Sequence, residues 1–245
     1  ELQRATWGHE YSQLVPWTLV KVSQRVGAIA AGAFDARGRL VGFVYGITGV
    51  EGGRLVHWSH MLAVREEVQG RGVGRRLKEY QRAEAARLGV ERICWTFDPL
   101  VARNAHFNLN RLGVEVAGYE VDMYGESDSP LHAGLGTDRL VAVWPVTPGA
   151  APSRPPAPGG APIIGGLEAE LAPLAALPPV VRIEIPPDIF AERAADLRRA
   201  AAWRAGTRPA FLEALARGYR VAGFEREAGS GRCFYLLARA GGPER

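Results

Sequence analysis

Lysine is nearly absent from the chain, occurring only as Lys21 and Lys78 in 245 residues. Arginine therefore carries most of the positive charge. It is spread among the carboxylates, so that the formal net charge is only +4 despite a pI of 9.3. Such scatter does not form the continuous basic stripe that nucleic acid requires, and no nucleic-acid partner is expected. Cysteine is just as scarce. Cys94 and Cys233 each lie in an apolar, strand-like run and read as two buried thiols rather than a disulfide or metal pair, and zinc has no ligand set. No apolar run approaches the roughly 20 residues that cross a bilayer, and Glu1 does not open a charged-then-apolar signal pattern. The expectation is a cytoplasmic protein with no membrane partner.

What is present suits a globular fold. The sequence is 47% hydrophobic and 23% charged, and its length allows one large or two modest cores. Residues 148–179 are dense in proline, glycine and alanine and read as a semi-rigid linker with one short helical piece near 167–176. They separate residues 1–147 from residues 180–245. In the first part, alternation predicts strands at 28–34, 40–48 and 55–64, the first two joined by the turn Asp35-Ala36-Arg37-Gly38. A helix follows over 75–88, closed by Gly89, then a strand at 93–97. A second helix over 102–112 is closed by Gly113, and strands follow near 114–119 and 139–146. In the last part, strands are expected at 180–185, 219–225 and 233–238, with helices over 189–203 and 208–217.

The most informative stretch is VQGRGVGRRLKEYQ, residues 68–81. Gly70, Gly72 and Gly74 cluster where a helix begins, although each glycine costs a helix roughly 1 kcal/mol relative to alanine. Such a cluster suggests close approach of the backbone to a ligand. A Walker loop needs Gly-Lys-Ser/Thr, whereas the chain offers Gly74-Arg75-Arg76. A dinucleotide fingerprint starting at Gly70 would need its third glycine where Arg75 stands. The pattern that remains is Q-x-x-G-x-G, with Gln69, Gly72 and Gly74 between a strand and a helix, which turns free amides and the positive helix end toward a pyrophosphate.

The order WSHMLAV, QGRGVG, RRLKEYQRAEAARLG, ICWTF, ARNAHFNLNRLG resembles the GNAT superfamily of N-acyltransferases across residues 1–147. SHMLAV, WTFDPL and RNAHFNLNRLG are similar to a bacterial group described only as predicted acetyltransferases. The resemblance implies an α/β (α+β) fold with a mixed, mostly antiparallel central sheet, flanking helices and a splayed strand pair. It further implies acetyl-CoA or another acyl-CoA as co-substrate, with no metal. The amides of Gly70, Arg71, Gly72, Val73, Gly74 and Arg75 would cradle the pyrophosphate, and a side chain at Gly72 or Gly74 would fill the ligand's space. Arg71, Arg75 and Arg76 could add charge, the backbone of Leu62, Ala63 and Val64 would pair with the pantetheine arm, and Asn104 would hydrogen-bond the pantetheine or the amine.

The implied chemistry is direct attack of an amine on the thioester, which requires a base, an oxyanion donor and an acid for the leaving thiolate. The acceptor would be a small-molecule amine, an amino acid or a protein N-terminus. Here the chain departs from its relatives, because Leu109 stands where many carry the acidic tyrosine. Tyr124 is the substitute expected, with Tyr119 behind it. His60 and Asp98 are the candidate bases, with Glu120, Asp122 and Glu126 as alternatives. His57 and His60, three apart in a strand, should face opposite sides, which argues against a shared metal. A non-catalytic CoA-binding or regulatory module is the competing reading, favoured by the missing tyrosine.

Two expectations concern the ends of the chain. ELQRATWG resembles the close of the family's first helix, so the family's first strand is expected to be missing. TRPAFLEALARGYRVAGF, when Gly218 is aligned with Gly113, matches ARNAHFNLNRLGVEVAGY. Residues 180–245 thus read as a degenerate half-repeat without a CoA loop, available to extend the sheet or to support a homodimer.

Overall fold

The computed structural model describes residues 1–127, 129, 134–147, 160–167 and 178–239. Helices α1 (Leu2–Trp7) and α2 (Trp17–Gln24) precede strands β1 (Ile29–Phe34), β2 (Leu40–Glu51) and β3 (Arg54–Val64). A single 3-10 turn, Glu66–Val68, leads into α3 (Val73–Arg87) and then β4 (Arg92–Phe97). The next helix is α-helical only over α4 (Ala102–Ala105) and continues as a π-helix over His106–Leu112. Strands β5 (Glu115–Glu120), β6 (Arg139–Pro145), β7 (Ile163–Gly165) and β8 (Val180–Ile185) follow. Helices α5 (Ile189–Ala195) and α6 (Leu197–Ala216) and strands β9 (Tyr219–Arg226) and β10 (Cys233–Arg239) complete the order.

The strands form a six-stranded sheet, β1-β2-β3-β4-β6-β5, and a four-stranded sheet, β7-β8-β10-β9. β1–β2 and β2–β3 are antiparallel, and β3–β4 is parallel. β8–β10 and β9–β10 are antiparallel, and β7–β8 is parallel. The mixed, mostly antiparallel fold expected for residues 1–147 is present. The expected splay is present as well: β3 and β4 pair only from Val56↔Arg92 to Trp58↔Cys94, although β3 runs on to Val64.

The chain forms two compact units. One contains residues 1–95, 129 and 143–147, and the other contains residues 96–127, 134–142, 160–167 and 178–239. This division does not follow the 147/180 boundary read from composition. Within the second unit Tyr119 of β5 stacks on Phe211 of α6 at 5.4 Å, and Phe211 meets Tyr235 of β10 at 5.1 Å edge-on. An aromatic core thus joins sequence from both sides of the linker. Part of that linker is itself a strand, since Ile163–Gly165 pairs with β8. The helical piece expected over 167–176 falls almost wholly outside the described residues.

Two helix readings change. The π-helical stretch contains two asparagines, Asn108 and Asn110, a residue type that competes for backbone hydrogen bonds, and it is closed by Val114 N–H donating to the Asn108 carbonyl and by left-handed Gly113. The break expected between 203 and 208 instead lies at Asp196, whose carboxylate caps α6 by accepting from Arg198 N. The helix then runs unbroken through Pro209. Thr207 Oγ1 donates back to the Trp203 carbonyl at 2.8 Å within the turn that Pro209 disturbs.

Candidate active site

α3 is entered through two left-handed glycines, Gly70 (φ 75°) and Gly72 (φ 78°). A Cβ on either would meet nothing within 4 Å, so these two are required by backbone conformation rather than by crowding within the protein. Gly74 is different. It lies inside the first turn without a positive φ. No side chain caps the helix, and Arg76 N–H is the first to reach back, to the Gly72 carbonyl. The amides of Val73, Gly74 and Arg75 therefore stand at the positive end of a 15-residue helix without intrahelical acceptors.

Gln69 is exposed, but its side-chain amide is engaged within the protein. Its Nε2 donates to the Val64 carbonyl at 2.9 Å, tying the glycine loop to the end of β3. Arg75 is engaged by Glu79 at 2.7 Å, whereas exposed Arg71 and Arg76 form no ion pair among the described residues. Val44, Val73 and Leu77 form a small core against which Leu62 and Val64 pack, and Ala63 is buried. These three side chains therefore hold the strand. Beyond Trp58 the backbone of β3 on the side facing β4 has no strand partner.

A bulge lies where that unpaired length begins. Tyr45 opposes Met61 and Gly46 opposes Ser59, leaving His60 as the extra residue. Its ring meets Tyr45 edge-on at 6.5 Å, and Tyr45 bonds Ser23 on the α2 side of the sheet. Desolvation holds the His60 imidazole below its ordinary value. His57 points the other way, toward α3, with Nε2 3.0 Å from Gln81 Nε2 and Nδ1 3.0 Å from Thr48 Oγ1. The two histidines face opposite sides of the sheet, as their spacing suggested.

His57 belongs to a buried polar chain that sequence reading missed. Lys78 Nζ donates to Ser59 Oγ at 2.9 Å and Gln81 Oε1 at 3.1 Å, and lies 3.5 Å from the Trp95 ring centroid. Burial pushes the Lys78 amine well below the ordinary lysine value. The His57 imidazole is pushed down to about 4 by its own burial and by Lys78. Lys78 lies on the buried stripe Val73-Leu77-Gln81-Ala85 of α3, and that stripe was the available signal.

Asp98 is corrected as a base. Both of its oxygens accept from Arg204 Nη2 at 2.9 Å, and Oδ1 also accepts Leu100 N–H at 2.8 Å, so its lone pairs are engaged. Asp122 is likewise engaged, with Thr137 N and Arg208. Tyr119 is corrected as an alternative acid. Burial, followed by the Asp138 carboxylate that its hydroxyl meets at 2.6 Å, raises it far above the ordinary phenol. Tyr124 remains available, with its hydroxyl 2.8 Å from Thr96 Oγ1, two residues along β4 from the last β3–β4 pair. Asn104 is half-buried on α4, and its side chain makes no hydrogen bond among the described residues. Glu120 and Glu126 stay on the periphery. Cys94 and Cys233 are free, buried thiols. Among the described residues no cluster could hold a metal ion, and no helix is long and apolar enough to cross a membrane.

A glycine loop at the mouth of a helix, set behind a bulged strand that parts from its parallel neighbour, places the first part of the chain in the GNAT fold class. Residues 1–113 match the model of the acetyltransferase (GNAT) family. Among solved structures the chain is similar to an aminoglycoside 6'-acetyltransferase type Ii, with 23% identity and a TM-score of 0.47 over 60% of this chain and 87% of that one. It is similar to nourseothricin acetyltransferase, with 22% identity and a TM-score of 0.42 over 49% and 66%. It also resembles Chaetomium thermophilum Naa20 in complex with a bisubstrate analogue, with 19% identity and a TM-score of 0.40 over 46% and 64%. The chain thus spans just under two thirds of the last two. No curated protein sequence matches it.

Proposed function

We propose that the protein is an N-acyltransferase that moves an acetyl or other acyl group from acyl-CoA to a primary amine of a small molecule, an amino acid or a protein N-terminus. The observation that carries this reading is the uncapped amino end of α3, entered through Gly70 and Gly72 and tied by Gln69 to the end of β3. The residues fit the co-substrate. The amides from Gly70 to Arg75 would hold the pyrophosphate, with charge from Arg71 and Arg76. The unpaired length of β3, Leu62–Val64, would hold the pantetheine amides.

In the reaction the amine nitrogen attacks the thioester carbonyl carbon. The carbon–sulfur bond then breaks, the nitrogen loses a proton and the thiolate gains one. His60, held neutral by desolvation beside the bulge, is the proposed base, acting directly or through water. Tyr124 is the proposed acid, replacing the function that Leu109 does not supply.

Gly74→Glu tests the binding site, because bulk and negative charge at the helix mouth should abolish acetyl-CoA binding in calorimetry while the circular dichroism stays native. Unchanged affinity in the folded variant would sink the assignment. Acetylated product from an amine panel would separate the enzyme from a CoA-binding module that performs no transfer.

A further inference from the structure

Among the described residues, Asp122 is the only one other than glycine with a left-handed backbone, at φ 45°. It lies in the turn that carries Tyr124, and the two arms of that hairpin specify its place closely. Asp122 N–H donates to Asp138 Oδ1 at 3.1 Å, and Thr137 N–H donates to Asp122 Oδ1 at 3.0 Å. Gly125 N–H donates to the Asp122 carbonyl at 2.8 Å, and Tyr124 N–H donates to Thr137 Oγ1 at 3.1 Å. Gly136 leaves room for the carboxylate, since a Cβ there would lie 2.5 Å from Asp122 Oδ1. An uphill backbone conformation held by so many contacts points to a turn whose shape matters to function.

These bonds bring two carboxylates together, and Arg208 of α6 stands between them. Its Nε and Nη2 donate to the two oxygens of Asp138 at 2.7 Å each, and the same Nη2 donates to Asp122 Oδ2 at 3.2 Å. One nitrogen therefore serves an oxygen of each acid. Asp138 is fully buried and also accepts from the Tyr119 hydroxyl at 2.6 Å, whereas the Asp122 side chain is 46% exposed. Arg204, whose Nε lies 3.9 Å from Asp138 Oδ2, is committed to both oxygens of Asp98 and does not replace Arg208. Without the Arg208 guanidinium the two acids would repel, and the exposed one has water to move into. Asp122 would then release Thr137 N–H and its left-handed backbone, and Met123 and Tyr124 would move with it.

We propose that Arg208 is a positioning residue: as the shared counterion of Asp122 and Asp138 it holds the turn that places the Tyr124 hydroxyl beside Thr96, so that α6 takes part in setting the acid. The inference rests on Tyr124 being the acid of the acyltransferase. Within the hairpin the contacts on Asp122 come from its own neighbours and its facing arm; Arg208 is the contact that ties this turn to the C-terminal part of the chain.

The test uses the full chain and reads the turn directly, because Met61 and Met123 are its only methionines. With carbon-13 in the methionine methyl groups, Met123 reports the turn and Met61, buried in β3, reports the fold elsewhere. Arg208→Leu should displace or split the Met123 resonance, leave that of Met61 in place, and lower kcat by about tenfold or more with unchanged affinity for acetyl-CoA. Adding Asp122→Asn removes the repulsion, keeps the acceptor for Thr137 N–H and suits a left-handed backbone, so both the resonance and kcat should return toward the parent values. A packing role alone would not be repaired by a change at residue 122. If Arg208→Leu does not fold, Arg208→Lys, which keeps a charge without the planar fork, should show the same displacement and the same repair. An unmoved Met123 resonance in the folded variant, a displacement that Asp122→Asn does not repair, or a fall in CoA affinity in parallel with kcat would overturn the proposal. Should the parent protein acylate no amine, the methyl resonances still decide the positioning, and the failure belongs to the acyltransferase reading.

Discussion

Gly46 faces α3 at the one place in β2 where a side chain has no room. A Cβ there would collide with His57 Nε2 and the Trp58 carbonyl and press on Gln81 Nε2. Gly46→Ala should therefore destabilise the fold by about 1–3 kcal/mol, the range for overpacking a filled core, read as a lowered denaturation midpoint. The adjacent titratable groups make stability depend on pH in two windows. His57 is depressed from 6.5 to about 4 when folded, so the unfolded chain takes up its proton first and stability is lost as pH falls from 6.5 through 4. His57→Gln, which cannot ionise, should flatten that part of a melting-temperature profile. Lys78 is depressed well below 10.5, so by the same rule stability should rise as pH rises toward 10.5, and Lys78→Met should remove the rise.

At the scale of elements, one helix seam and one turn carry the consequences. α6 meets the β7 strand through small residues: a Cβ on Gly206 would collide with the Gly166 carbonyl, and one on Gly165 with Ala210 Cβ. Gly206→Ala should force the helix off the strand and cost about 1–3 kcal/mol, as overpacking does, measured by chemical denaturation. The turn from Val121 to Tyr124 carries the other prediction. Tyr124 is the acid proposed above, and on that proposal Tyr124→Phe should reduce kcat by about 10²-fold or more with little change in CoA affinity, once an acceptor is identified. Turnover equal to the parent protein would return the thiolate to unassisted departure, since Tyr119 is committed to Asp138.

For the whole molecule, the grouping of residues 96–127 and 134–142 with residues 178–239 changes what truncation should do. Composition alone suggests that the chain could be cut after residue 147 and leave a working domain. The Tyr119–Phe211–Tyr235 stack, together with the pairing of Asp98 and Asp138 to α6, predicts otherwise. A protein ending at residue 147 should lose near-ultraviolet circular dichroism and cooperative unfolding, because aromatic rings and buried carboxylates would be left without partners. A cooperative, native-like melt of that fragment would contradict the grouping.

Local chemistry was enough to read much of this protein. Period-two alternation located β1 to β4, and the C-terminal strands fell within a residue or two of their sequence bounds, because strand patterning and closing glycines act over a few residues. The Q-x-x-G-x-G loop was legible for the same reason, since left-handed glycines and an uncapped helix end are properties of adjacent residues. β7 was hidden in a proline- and glycine-rich stretch, where composition outweighed a three-residue apolar run. Asp98 read as a base because its partner, Arg204, lies 106 positions away. Arg204 sits on the buried stripe of α6 with Ala200, Trp203 and Thr207, a sign that it was internal but not of what it touched. The sequence by itself determined the strands and the helix mouth; only the tertiary structure decided which carboxylates are neutralised, because ion pairing depends on distances that no local pattern records.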